Sequence, residues 1–365
     1  MKIKRIQSQV VRLPLDEPLA GGPAYFRTHN QFVTLRIETA DGIEGIGVSF
    51  FGGALSATLK HAIDQLGELI VGDDPLRIEA ITQKLRNAGA SAGPGGILTL
   101  AISGIDMALW DIKGKVLGQS LGAMLGGLRD RVPTYASGAM TRDLTLDEVV
   151  GAGPKLVAKG FRQMKTQMAL PGKTTPKQEV ERMRLVRESI GPDIDLMCDI
   201  NQRWSVPQAI SIGRRVEEVG LFWLEDVTAC DDFPGLARVA DALDTPVAGG
   251  EYVYGPVPFR HMMEARSVDI VMVDLMRAGG ITQWMKIAGM AEAFNLPIVS
   301  HLVPEMHVHL VAAVPNGLTV EYMPRSRGLY KETPKIEDGL LVVPQKPGLG
   351  LEFDPEVLKR YGNTG

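Results

Sequence analysis

Asp199, Glu225 and Glu251 share one local context. Each closes a short apolar run: Ile194 to Cys198, Leu221 to Leu224 and Pro246 to Gly250. The intervals are 26 residues from 199 to 225 and 26 again from 225 to 251. One strand, one helix and two short connections take up about that much chain. A buried strand ending in an acid, repeated once per βα unit, places all three acids on the rim of a parallel barrel. That rim, at the strand C-termini, is where such barrels carry their chemistry. Converging carboxylates repel unless a cation lies among them. Hard oxygen donors without Cys or His point to Mg²⁺ rather than Zn²⁺.

Two further apolar runs end in groups that handle protons. Ile270 to Val273 is closed by Asp274, and Leu296 to Ser300 by His301, 27 residues on. An Asp beside the His of the next strand fixes the imidazole tautomer and raises its basicity, which makes a general acid/base. On the strand before Asp199, Gln163, Lys165 and Gln167 share a face by two-residue alternation. If that face is the interior, Lys165 and Gln167 stand beside the metal. Asn201 has the parity of Asp199 and reaches the same pocket. Glu321, closing Leu318 to Val320, completes the rim as a hydrogen-bonding or electrophilic group. The loop from Glu17 to His29 is rich in Gly and Pro and carries Tyr25 and Arg27, residue types that recognise ligands. His307 and His309 fall in a helical pattern and read as structural; His61 and His261 receive no role.

The positioning elements follow from periodicity. Strands are expected near 132–137, 162–167, 194–199, 221–225, 246–250, 269–274, 297–301 and 317–321, which suits a closed barrel. Residues 1 to about 55 read as β, with Asp41-Gly42 as a hairpin turn. Helices are expected over 56–70, 75–87 and about 97–117, the last with a face of Ala101, Ile105, Ala108, Leu109 and Ile112. The division expected is an α+β cap over 1–130, a barrel over 131–325 and a tail over 326–365 that packs back on the cap. Net charge is −4 and there is no lysine–arginine block, which argues against nucleic acid. No apolar run approaches a membrane span, the N-terminus lacks a leader pattern, and the two cysteines have no metal spacing; a cytoplasmic protein is expected.

These motifs together resemble the enolase superfamily, and within it the mandelate racemase subgroup. The stretch Ala101 to Lys115 is similar to the signature of its capping domain. Cys198-Asp-Ile-Asn-Gln202, Trp223-Leu-Glu-Asp226, Gly250-Glu251, Asp274 with Ala278-Gly-Gly-Ile281, Ser300-His301-Leu302 and Glu321 match its barrel motifs in order. The resemblance implies a modified (β/α)₇β TIM-type barrel under an α+β N-terminal capping domain completed by the C-terminal tail. It implies Mg²⁺ on Asp199, Glu225 and Glu251, α-proton abstraction from a small carboxylate substrate through an enediolate, and a homo-oligomer. Two departures stand out. Racemases of this type carry Lys-X-Lys on the second barrel strand, where this chain has Lys165-Thr166-Gln167. Val227 stands where Pro commonly follows the two acids. Gln accepts no proton at neutral pH, so one basic face is expected, with His301 as base and Lys165 offsetting charge. That favours dehydration of an acid sugar to a 2-keto-3-deoxy acid over racemisation or epimerisation with Lys165 as second base. A lysine-based cycloisomerase would need a Lys near Asp274. A catalytically silent carboxylate-binding barrel would need no base at all.

Overall fold

The computed structural model describes residues 1–365 except 15–18, 21–28, 51–53, 171, 173 and 364–365. Tyr25 and Arg27 therefore lie outside the described residues. The N-terminal part begins with the strands β1 (Ile3–Pro14), β2 (His29–Thr39) and β3 (Glu44–Phe50), followed by helices α1 (Ser56–Ile70), α2 (Ile78–Ala88), α3 (Gly96–Leu117) and α4 (Leu121–Met124). The hairpin at Asp41-Gly42 closes β2 on β3, with Gly42 at φ 81° and its N–H on Thr39 O. Helix α2 starts later than periodicity suggests, because Asp74-Pro75-Leu76-Arg77 is spent on a turn, with Arg77 N donating to Asp74 O.

Helix α3 was expected to bury one face. It is buried on nearly all sides from Thr99 to Ile112, since the cap sheet covers one flank and the barrel the other. Backbone meets backbone on the sheet side. A Cβ on Gly47 would lie 2.0 Å from Gly104 O, so only glycine lets β3 approach this closely.

The barrel begins with β4 (Arg131–Met140), α5 (Leu146–Ala158), β5 (Gln163–Gln167), α6 (Pro176–Ile190), β6 (Asp195–Asp199), α7 (Val206–Val216) and β7 (Trp223–Glu225). It continues with α8 (Phe233–Ala240), β8 (Val247–Gly249), α9 (Pro256–Glu264), β9 (Ile270–Asp274), α10 (Leu275–Ala278), α11 (Ile281–Ala293), β10 (Ile298–His301), α12 (Pro304–Ala313) and β11 (Val320–Tyr322). Neighbouring strands pair in parallel from β4 to β10, and β11 pairs in parallel with β4. The ring closes through Leu318 N on Ile298 O, at 2.9 Å. Helices α5, α6 and α7 open with capping boxes, Thr145/Glu148, Thr175/Gln178 and Ser205/Gln208, which fix where the rim loops end.

The last segment forms β12 (Ile336–Glu337), β13 (Leu340–Val342), α13 (Pro355–Tyr361) and β14 (Gly362–Asn363). Strand β13 runs antiparallel to the start of β4, and β14 joins the cap sheet beside β1. Cap and barrel are tied by buried polar contacts. Asp106 accepts from Thr282, Ser103 donates to Leu275 O, and Trp110 Nε1 donates to Thr282 Oγ1. Among the described residues, no helix is long and apolar enough to cross a membrane.

Candidate active site

Strand alternation selects the side chains that enter the mouth. Tyr135, Met197, Trp223, Ala248, Ile270, Met272 and Val299 fill the barrel interior. Two residues beyond Met197, Trp223, Met272 and Val299 stand Asp199, Glu225, Asp274 and His301, on the same face and one level nearer the mouth. The register is matched across the rim: Gln167 sits beside Asp199, Asp199 beside Glu225, and His301 beside Asp274.

The acids are deeply buried, with Asp199 3%, Glu225 0% and Glu251 4% exposed. Among the described residues, Asp199, Glu225 and Asp226 bring ligand oxygens within 4.8 Å of one another. Asp226 has left-handed backbone, φ 45°, which breaks strand alternation and lets adjacent residues 225 and 226 both reach the cluster. Its Oδ2 has no hydrogen-bond partner among the described residues. Glu251 turns toward the base instead, with Oε2 3.3 Å from His301 Nε2. Burial pushes the Glu225 carboxyl up to about 7, with Lys165 opposing and Asp199 adding to the rise. Burial and mutual repulsion push Asp226 and Glu251 well above the usual carboxylate range. Oxygen-only donors that are buried, mutually repelling and short of one partner fit a small, hard divalent cation.

Lys165 is 6% exposed inside the barrel. Its Nζ lies 2.5 Å from Glu225 Oε1 and 2.9 Å from Glu321 Oε1, over the Tyr135 ring. Burial favours the neutral amine, yet the two carboxylates outweigh it and hold the ammonium charged well above its ordinary range. Glu321 also accepts Leu302 N at 2.7 Å. Burial would raise its pKa, but Lys165 and His301 hold it at about 2.

His301 Nδ1 lies 2.8 Å from Asp274 Oδ2. Burial alone would raise Asp274, yet Arg277 and the imidazole hold it at about 2, so it stays an acceptor. An ionised Asp274 fixes the hydrogen on Nδ1 and leaves the Nε2 lone pair toward the mouth. The backbone just beyond is strained: Leu302 and Val303 have φ 55° and 37°. Glu321 holds Leu302 N, and His307 Nδ1 lies 2.7 Å from Leu302 O. Burial lowers both His307 and His309 to about 4, which keeps them neutral; His309 links Gly122 N to Leu349 O.

Gln167 and Asn201 sit at the cluster but are largely committed to protein. Gln167 Nε2 donates at 3.2 Å to both Asp199 Oδ2 and Asn201 Oδ1, while its Oε1 accepts Arg142 N. Asn201 Nδ2 donates to Asp199 Oδ2 at 2.7 Å. Sequence reasoning did not single out Arg142 or Arg277, and it named Asp226 only as the end of a motif, without a role at the site. The Arg277 guanidinium bonds Glu251 O at 3.0 Å and approaches Asp274 Oδ2 at 3.5 Å. Its position in the turn after Asp274 was the available signal.

Residues 150–357 match the enolase C-terminal domain-like family, and residues 20–126 match the N-terminal domain of the mandelate racemase/muconate lactonizing enzyme family. The chain is 33% identical over 362 residues to the 3,6-anhydro-alpha-L-galactonate cycloisomerase of Streptomyces coelicolor, covering 98% of this chain and 99% of that protein. It is 32% identical to the arabinonate dehydratase of Saccharolobus solfataricus, over 91% of this chain and 90% of that one. Among solved structures, the L-talarate dehydratase of Polaromonas sp. JS666, complexed with Mg and L-glucarate, superposes with a TM-score of 0.91 at 32% identity, covering 99% of this chain and 97% of that one.

Proposed function

The chain belongs to the mandelate racemase/muconate lactonizing enzyme family of the enolase superfamily, and from that premise we propose that it is a Mg²⁺-dependent acid-sugar dehydratase. The substrate is a small carboxylate bearing hydroxyls on C2 and C3; the product is a 2-keto-3-deoxy acid. The observation that carries this reading is one oriented base among the described residues, His301 on Asp274, at the edge of a buried carboxylate cluster.

Asp199, Glu225 and Glu251, with Asp226 beside them, would hold the metal. Bound there, Mg²⁺ supplies positive charge to the substrate carboxylate as its α-carbon loses a proton. Lys165, kept cationic by Glu225 and Glu321, adds a second fixed charge where negative charge grows. His301 Nε2 takes the C2 proton, and the electron pair moves into the enediolate. The C3–O bond then breaks, the hydroxide leaves as water with a proton from the imidazolium, and the enol becomes the ketone. Asp274 keeps the imidazole in the tautomer that can begin this cycle.

Racemisation would need a base on the opposite face. Gln167 has no basic atom, and Lys165 is paired with Glu225 and Glu321 as an ammonium, which has no lone pair to take a proton. The test is a screen of aldonates and aldarates with Mg²⁺ for 2-keto-3-deoxy products, run beside His301→Asn. At least one substrate should lose water. The variant should be roughly 10²–10⁴-fold slower and should exchange the α-proton of neither C2 epimer in D₂O. Inversion at C2 without water loss, or rapid exchange of one epimer by the variant, would favour the racemase.

A further inference from the structure

The two amides beside Asp199 have a defined orientation, and both trace to Arg142. This residue lies just past the end of β4 and is 5% exposed. Its Nη2 donates to Asn201 Oδ1 at 2.7 Å and to Asp199 O at 3.1 Å. Its backbone N donates to Gln167 Oε1 at 3.2 Å. A guanidinium has donors only, so it draws the oxygen of the Asn201 amide and leaves the nitrogen facing Asp199. The backbone N–H does the same to Gln167, whose nitrogen then faces Asp199 and Asn201. Asp199 thereby receives Asn201 N on Oδ1, and Asn201 Nδ2 and Gln167 Nε2 on Oδ2.

We propose that Arg142 is a positioning residue of the metal centre: it orients the Asn201 and Gln167 amides so that both donate to Asp199 and fix that carboxylate for the cation. The assignment rests on Asp199 being a metal ligand. Without the guanidinium, Asn201 Oδ1 keeps only the longer bond from Gln167 Nε2, at 3.2 Å, and the amide is held less firmly against Asp199 Oδ2.

The test titrates Mg²⁺ calorimetrically into EDTA-treated full-length protein, with circular dichroism and thermal melts to confirm folding. Loss of a partner that orients a ligand costs roughly 10–100-fold in metal affinity. Arg142→Met should weaken Mg²⁺ by that amount, and Arg142→Lys, whose ammonium also only donates, should recover most of it. Asn201→Ala should weaken Mg²⁺ similarly, and the double variant Arg142→Met/Asn201→Ala should be little worse than Asn201→Ala alone. Affinity of Arg142→Met within about twofold of the parent, or losses that multiply in full in the double variant, would overturn the assignment. So would a raised KM with unchanged Mg²⁺ affinity, which would make Arg142 a substrate contact. If Arg142→Met does not fold, Arg142→Lys against Arg142→Gln carries the test. Gln can present an acceptor to Asn201 and should bind Mg²⁺ more weakly than Lys; equal affinity overturns the proposal. Asp199→Asn run alongside separates the two levels: unchanged Mg²⁺ affinity there would remove the metal-centre reading itself.

Discussion

Buried carboxylates at two places in this molecule, the seam between cap and barrel and the barrel mouth, are treated in opposite ways. At the seam between cap and barrel, Asp106 accepts Thr282 N and Oγ1, and Asp111 accepts Ile46 N, Leu349 N and Lys115 Nζ. Each oxygen of both groups has a donor. At the mouth, Asp226 Oδ2 has none among the described residues, and burial together with neighbouring carboxylates raises the proton affinity of Glu225, Asp226 and Glu251. The seam is a finished structure held together by acids. The mouth has more negative charge than its own donors balance, which a cation would complete. Burial is equal in the two places, so the state of the lone pairs, rather than depth, separates a binding site from a fastener.

Removing a mouth acid should give the largest effect. Glu225→Gln deletes one donor of the cluster and one of the two partners of Lys165. Turnover should fall by at least roughly 10²–10³-fold, the range for losing a group that stabilises developing charge. Parent enzyme treated with EDTA should lose activity likewise and regain it with Mg²⁺. A steady-state assay across Mg²⁺ concentrations checks both. Full activity after EDTA treatment would mean that the mouth is as complete as the seam, and the contrast would collapse.

Sequence made much of this contrast visible in advance, for a physical reason. Strand-end acids recur with the βα period, and inward parity is fixed by alternation, so Asp199, Glu225, Asp274 and His301 could be placed by counting. The residues that were missed obey no period. Asp226 enters the cluster because its own φ is positive. Arg142 reaches the rim because β4 shifts register between Ala136 and Met140, around Gly138 at φ 80°. The expected strand stopped at 137, short of that bulge. Helix α3 looked amphipathic because its sequence does not tell that two different partners cover its opposite sides.

A smaller effect is expected one step from the chemistry. Asp274 is held ionised by Arg277 and bonded to the His301 ring, so in the proposed reaction it would act on tautomer and basicity without touching the α-proton. Asp274→Asn should therefore slow turnover less than His301→Asn and should retain measurable α-proton exchange in D₂O. Rates for the two variants on one substrate, with Mg²⁺ saturating, decide it. Equal losses would make the pair a single unit rather than a base and its support.

The smallest effect belongs to the seam and appears in stability rather than rate. Burial pushes Asp106 up to about 7, against an ordinary 3.8, while its bonds from Thr282 pull the other way. For an acid raised on folding, the stabilising contribution is complete below the unfolded value and is lost as pH rises through the folded one. Asp106 should thus cost the protein stability progressively between about pH 4 and pH 7, by roughly 2–4 kcal/mol at most. Close packing sharpens the effect, because a Cβ on Gly280 would lie 2.4 Å from Asp106 Oδ2, leaving little space for water to solvate the charge. Asp106→Asn cannot ionise. Its amide oxygen can still accept Thr282 N, and its nitrogen can donate to Thr282 Oγ1. Thermal melts of parent and variant at pH 5 and pH 8 isolate this one group, since every other titration is shared. The parent should be the more stable at pH 5, and its advantage should shrink or reverse by pH 8. A difference that stays constant across that range would show that the seam carries its acid in one charge state throughout, as a fastener indifferent to pH.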